Sequence, residues 1–362
     1  DVLRALEAHI AGRGFAYPPL TVRTCYLCLQ TRPLVLLSGL SGTGKTHLTF
    51  LIAEALTGNT GEQYRLIPVR PDWADSSPLL GYVNYLARGG EGRYIIPPFL
   101  QFLQQAARPE NAHRAFFLCL DEMNLARAEH YLAEVLSAME APTRILLLPD
   151  GTGMPLPPNL FLTGTLNLDD ATHPLSRRTL DRASVLTFSD VHLDDPATPP
   201  APATDPPFAL RQAVFLHTRI QDVQEARSIL TRIPYAGDTG LHRVLRTLSE
   251  AHRLLEQHGL SFAYRVRDDA LRFCARSFDC NGQGLLAIET PDDPRANLHI
   301  ALDLFLTTRV LPRLSGPAEQ VDPPARELLQ WATEVRFQHA ATRLERFLHR
   351  LQRTGFASMD EV

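Results

Sequence analysis

One junction constrains the fold of this chain more than any other feature: the apolar run Pro33-Leu34-Val35-Leu36-Leu37-Ser38 passes without a spacer into Gly39-Leu40-Ser41-Gly42-Thr43-Gly44-Lys45-Thr46. A short, continuous apolar segment is what a strand buried on both faces of a parallel sheet requires. The glycine-rich stretch behind it has the GxxxxGK[ST] spacing of a phosphate-binding loop. His47 to Leu56 then keep a helical pattern that ends near Gly58, so strand, loop and helix follow in the required order. In such a loop the glycines let backbone N–H groups close around phosphate oxygens, and the helix N-terminus adds partial positive charge. Gly39, Leu40, Ser41, Gly42, Thr43, Gly44, Lys45 and Thr46 are therefore the expected nucleotide contacts. Lys45 neutralises the β and γ oxygens, and the Thr46 hydroxyl is a ligand for Mg²⁺.

Of the 36 basic side chains a single one is lysine, and it is Lys45. A compact ammonium and a planar guanidinium are not interchangeable among phosphate oxygens. A chain that uses arginine everywhere else has kept lysine where a point charge is needed. With 362 residues and 44% hydrophobic content there is material for two or three domains and a sizeable core. No run approaches the roughly 20 consecutive apolar residues of a membrane-spanning helix, and the first residues lack the pattern of a secretory signal. A cytoplasmic protein with no membrane partner is the expectation. The chain opens on Asp1 rather than Met, which leaves room for a preceding segment or domain. A formal charge of −4 gives no global pull toward nucleic acid, so DNA contact is expected only through local arginine patches or another chain. The five cysteines follow no framework spacing and read as reduced thiols. Cys25 and Cys28 form a CxxC inside an apolar run, without the second ligand pair of a zinc site, and read as core thiols.

A second buried strand, Ala115-Phe116-Phe117-Leu118-Cys119-Leu120, ends in Asp121-Glu122. At the end of a strand beside a phosphate loop, the aspartate is placed to hold the Mg²⁺ shell and the glutamate to polarise the attacking water, a pair that favours hydrolysis over binding alone. A third apolar segment, Asn159 to Leu166, ends at Asn167, a polar residue of the kind that positions a water against the γ-phosphate. Strand ends gather at one edge of a doubly wound sheet, so Lys45, Asp121, Glu122 and Asn167 are expected to converge. Arg177-Arg178-Thr179-Leu180-Asp181-Arg182 then leads into a last apolar strand, Ser184 to Phe188. An arginine there is placed to reach a neighbouring subunit's γ-phosphate and stabilise charge in the transition state, with Arg182 the first choice and Arg178 the second.

These motifs resemble those of the McrB-type AAA+ motors, the nucleotide-hydrolysing subunits of modification-dependent restriction systems, within the broader MoxR-like group. The similar stretches are Gly39 to Thr46, Val69-Arg70-Pro71-Asp72-Trp73, Gly81-Tyr82-Val83-Asn84, Leu120 to Arg127 and Leu160 to Asp170, with a weaker echo in Phe262 to Val266 and Val310 to Leu314. The run Asp121-Glu122-Met123-Asn124-Leu125-Ala126-Arg127 is the most diagnostic. Where the family reads Met-Asn-x-x-Asp-Arg, this chain has Leu166-Asn167-Leu168-Asp169-Asp170-Ala171, keeping asparagine and aspartate and replacing the arginine. The resemblance implies that Asn167 and Asp170 orient the water or its neighbours. It also implies GTP as substrate, a homo-oligomeric ring that is a hexamer, and an McrC-like endonuclease partner through which DNA is engaged. A chain whose only lysine is Lys45 cannot carry the Asn-Lys-x-Asp motif by which Ras-like GTPases read guanine, so GTP rests on the likeness and ATP stays open.

The expected fold class is α/β, a P-loop AAA+ doubly wound parallel sheet followed by a mainly helical lid domain. Residues 1–30 read as a helix and loop, 31–190 as the nucleotide-binding domain, 191–235 as a proline-rich linker, and 236–362 as the lid with a C-terminal helix. Thr143 to Leu156, with Asp150-Gly151 at the turn, read as an inserted hairpin. Arg88 to Arg93 read as a basic loop suited to DNA or a partner, or simply solvated. In the lid, Leu241 to His258, Val266 to Phe278 and Asn297 to Leu311 are helical by period, and Pro323 to Gln352 reads as one long amphipathic helix. Arg265 is the candidate lid contact to the γ-phosphate, with Arg267, Arg272 and Arg276 as alternatives. Two other functions fit the same residues: a MoxR-like protein-remodelling ATPase and a nucleotide-gated scaffold with little turnover. A P-loop kinase fits less well, because small-molecule kinases lack the second helical domain.

Overall fold

The sheet expected from the apolar runs is present. In the computed structural model, which describes residues 2–84, 93–168, 173–188 and 207–359, strands β1 (Leu34–Gly39), β2 (Tyr64–Pro68), β3 (Phe116–Asp121), β4 (Leu160–Asn167) and β5 (Ala183–Phe188) form one sheet in the order β2-β3-β4-β1-β5. Pairing is parallel, with Tyr64 opposite Phe117, Phe117 opposite Phe161, and Leu34 opposite Leu162. Every residue of β1 and β4 is buried, which is why these strands read as unbroken apolar runs rather than alternating ones. The order puts β4 between the strand that leads into the phosphate loop and the strand that ends in the carboxylates. Its last residue, Asn167, therefore falls between them.

The chain divides into two units, each discontinuous in sequence. The first comprises Asp1–Ala16, Pro33–Ala183 and Asp190–His217. Its aromatic core stacks Phe117, Phe161 and Phe215, with Phe161 and Phe215 centroids 4.7 Å apart. Helix Val2–Gly12 is tied to helix Lys45–Thr57, where Arg13 and His9 both bind Glu54. The inserted hairpin is present as Ile145–Leu147 paired with Gly153–Pro155, and Gly151 at its turn has φ +83°, a conformation that suits glycine.

The second unit comprises Tyr17–Arg32, Ser184–Ser189 and Thr218–Val362 and is mainly helical. Its helices include Gly240–Glu256, Tyr264–Arg276 and Pro294–Phe305, close to the expected periods. Three expectations need correction. Residues 19–31 form a helix that begins at Pro19, because proline at a first helical position sacrifices an N–H that has no partner there anyway. Within the expected linker 191–235, Phe208–His217 and Val223–Arg232 are helices. The C-terminal helix is two helices, Ala318–Val335 and Gln338–Thr354, broken where Arg336 turns left-handed at φ +66°. Cys25, Cys28, Cys119 and Cys274 are buried free thiols, and burial pushes Cys28 up to about 12, as the core reading of the CxxC requires. Among the described residues no helix is long and apolar enough to cross a membrane.

Candidate functional site

The phosphate loop is built by glycine. Gly42 and Gly44 have φ +83° and +85°, and Gly44 caps helix Lys45–Thr57 in the left-handed region, a conformation that glycine adopts without strain and that lets the chain turn from β1 straight into the helix. Lys45 is 5% exposed, and its Nζ donates to Gly39 O (2.8 Å) and Leu40 O (2.6 Å). These bonds hold the ammonium within the loop, where phosphate oxygens would meet it. Phe15 lies against His47 with centroids 5.0 Å apart, so the N-terminal segment does pack beside the start of this helix.

Four predicted residues from three separate stretches converge as the strand order requires. Thr46 Oγ1 donates to Asp121 Oδ1 at 2.7 Å. Asn167 Nδ2 donates to Glu122 Oε1 at 2.8 Å. A hydroxyl and a carboxylate oxygen meeting beside a phosphate loop form the hard-oxygen donor set that suits Mg²⁺, which completes its shell with water and phosphate oxygens. Among the described residues there is no cluster of three or more His, Cys, Asp or Glu that would hold a metal without such help.

Glu122 stands in a left-handed conformation (φ 53°, ψ 48°) at the turn where the chain leaves β3. A non-glycine residue stays there only if its surroundings fix it. Three bonds do so: Thr165 Oγ1 accepts the Glu122 N–H (2.8 Å), Asn167 holds its carboxylate, and Leu125 N–H donates to its carbonyl (3.0 Å), while Tyr131 OH anchors the next residue by donating to Met123 O (2.8 Å). Trp73 braces Tyr131 edge-on with centroids 5.2 Å apart. Gly164 allows Met123 to lie against β4, since a Cβ there would sit 2.7 Å from Met123 Sδ.

The arginines separate. Arg182, the first choice for a finger, is ion-paired with Glu140 of its own chain and donates to Arg178 O at 2.6 Å. Arg178 is exposed, 3.5 Å from Ser137 Oγ. Arg265 lies in the second unit, exposed near the start of helix Tyr264–Arg276. Asp170 and Ala171 lie outside the described residues, as does most of the basic loop Arg88 to Arg93. Sequence reasoning missed Thr165 and Asn124 as part of the site. Thr165 was visible as a polar residue in an otherwise apolar buried strand, two places before Asn167.

Residues 34–183 match the family described as AAA domain (dynein-related subfamily), and residues 221–356 match one described as a domain of unknown function. Among solved structures the chain is similar to one described as a "putative ATPase" from Cytophaga hutchinsonii, at 16% identity over 76% of this chain and 79% of that chain, with a TM-score of 0.48. No curated protein matches the sequence.

Proposed function

Starting from an AAA+ P-loop nucleoside-triphosphatase domain at residues 34–183, we propose that this chain is the motor of a ring-shaped complex of the McrB-like kind. In this reading GTP hydrolysis between neighbouring copies drives a partner endonuclease. The observation that carries hydrolysis is the hydrogen bond from Asn167 Nδ2 to Glu122 Oε1, next to the Thr46–Asp121 contact. It supports Glu122 as the base that takes a proton from water and Asn167 as the group that orients that carboxylate. Thr46 and Asp121 are the residues that would hold Mg²⁺, which would supply charge neutralisation on the phosphates. Lys45 adds its ammonium on the β and γ oxygens. The finger in trans falls to Arg178, because Arg182 is engaged with Glu140 within its own chain. The choice of a restriction complex and of GTP is supported by the stretches Leu120 to Arg127 and Leu160 to Asp170.

Phosphate release measured with GTP and with ATP, alongside the mass of the particle in each nucleotide, tests the reading. Preferred GTP turnover by a ring is the expected result. A second reading fits the same nucleotide site: an ATP-driven protein-remodelling machine of the MoxR-like kind. ATP preference with stimulation by a client protein would replace the first reading with the second.

A further inference from the structure

Strand β3 leaves the sheet before β4 does. The backbone ladder between them stops at Leu120 opposite Gly164, yet β4 continues to Asn167. Buried backbone groups beyond that point need other partners. The carboxamide of Asn124 takes both groups of Asn167: its Nδ2 donates to Asn167 O (2.7 Å), and its Oδ1 accepts the Asn167 N–H (3.2 Å). One side chain thus stands in for a missing strand neighbour. Asn124 is 6% exposed, and its own carbonyl accepts the His173 N–H at 2.8 Å. Two residues back along β4, Thr165 joins both carboxylate residues: its hydroxyl donates to Asp121 Oδ1 (2.7 Å) and accepts the Glu122 N–H (2.8 Å).

We propose that Asn124 and Thr165 are positioning residues for hydrolysis, carrying the β3–β4 register past the end of the ladder so that Glu122 and Asn167 stay 2.8 Å apart. The inference rests on the hydrolysis reading of this site. Neither residue faces the nucleotide loop in its described contacts; both act through the groups that do. Thr165 performs a further task, because the Asp121 oxygen it donates to is the one that meets Thr46. Its hydroxyl therefore fixes the direction of the oxygen offered to the metal while its lone pair fixes the backbone that carries the base. Valine is β-branched like threonine and suits a buried strand, so Thr165→Val keeps the branch and removes the hydroxyl that Asp121 and the Glu122 N–H both use.

The test compares wild type, Thr165→Val, Thr165→Ser and Asn124→Ala as full chains. Turnover at saturating nucleotide, nucleotide Kd, and amide hydrogen exchange over residues 121–125 and 165–168 are measured on each. Displacement of a reacting group by about 1 Å costs on the order of 100-fold in rate, so Thr165→Val and Asn124→Ala are expected to lose about 10- to 100-fold in turnover. Their Kd should stay within about twofold, and Thr165→Ser should keep the wild-type rate. Wild-type turnover in Thr165→Val, or equal loss in Thr165→Ser, overturns the proposal. A wild type that binds nucleotide without turning it over overturns the hydrolysis reading instead. Exchange then decides the positioning roles: faster exchange in the valine and alanine variants but not in the serine variant upholds them, and unchanged exchange rejects them.

Discussion

Asp121 and Asp269 carry the same carboxyl group in very different company. In the first unit, Asp121 is half-buried, and its Oδ1 is met by the neutral hydroxyls of Thr46 and Thr165. In the second unit, Asp269 is 1% exposed and ringed by cations: Arg309 at 3.0 Å, Arg32, and Arg272 at 3.6 Å. Neutral donors orient a carboxylate and leave its charge available for a cation. Arginines consume that charge in holding the fold. Burial, with Arg309 close by, lowers Arg32 to about 9, so this cluster holds buried positive charge that Asp269 must offset. One unit keeps a carboxylate in reserve for chemistry, and the other has committed one to structure.

Substitution should separate the two most sharply. Asp269→Ala leaves Arg309 and Arg32 facing each other in a buried site and should cost about 3–5 kcal/mol in urea denaturation. Asp121→Asn keeps an acceptor for Thr46 and Thr165 and should change stability by no more than about 1 kcal/mol while abolishing Mg²⁺-dependent turnover. Equal stability losses would break the comparison.

Glu54 sharpens it with a third case, a carboxylate bound by a cation at the surface. The Arg13 guanidinium, ahead of His9, holds the Glu54 carboxyl below the usual range. A depressed carboxylate contributes stability that is present above its unfolded pKa and is lost as the pH falls through the folded value. Glu54→Gln should therefore lower the Tm by only about 2 °C at pH 7, and the gap should shrink as the pH falls below the ordinary glutamate range and through the depressed folded value. A gap that persisted in acid would show that the pair contributes packing rather than charge.

The site was legible in the sequence where its chemistry coincided with strand ends. β1, β3 and β4 are buried on both faces, so Leu34 to Gly39, Phe116 to Asp121 and Leu160 to Asn167 stand out as apolar runs that stop at Lys45's loop, at Asp121-Glu122 and at Asn167. β2 escaped because an edge strand is half-exposed, and Tyr64-Arg65-Leu66-Ile67-Pro68 carries a charge and a proline. Helix Pro19–Thr31 escaped because Pro18-Pro19 reads equally as a loop and as a helix start. Thr165, Asn124 and the Arg182–Glu140 pair were hidden for another reason. Their roles depend on partners tens of residues away, and only the sheet order brings those partners together.

Glu122→Gln tests the central claim most directly, because it keeps the shape of the residue that Asn167 holds and removes its ability to accept a proton from water. Nucleotide binding measured at equilibrium should match the wild type, and steady-state phosphate release should fall by about 10²- to 10⁴-fold. Phosphate release at the wild-type rate would contradict the assignment of Glu122 as the base and, with it, the reading of this strand edge as a hydrolytic site.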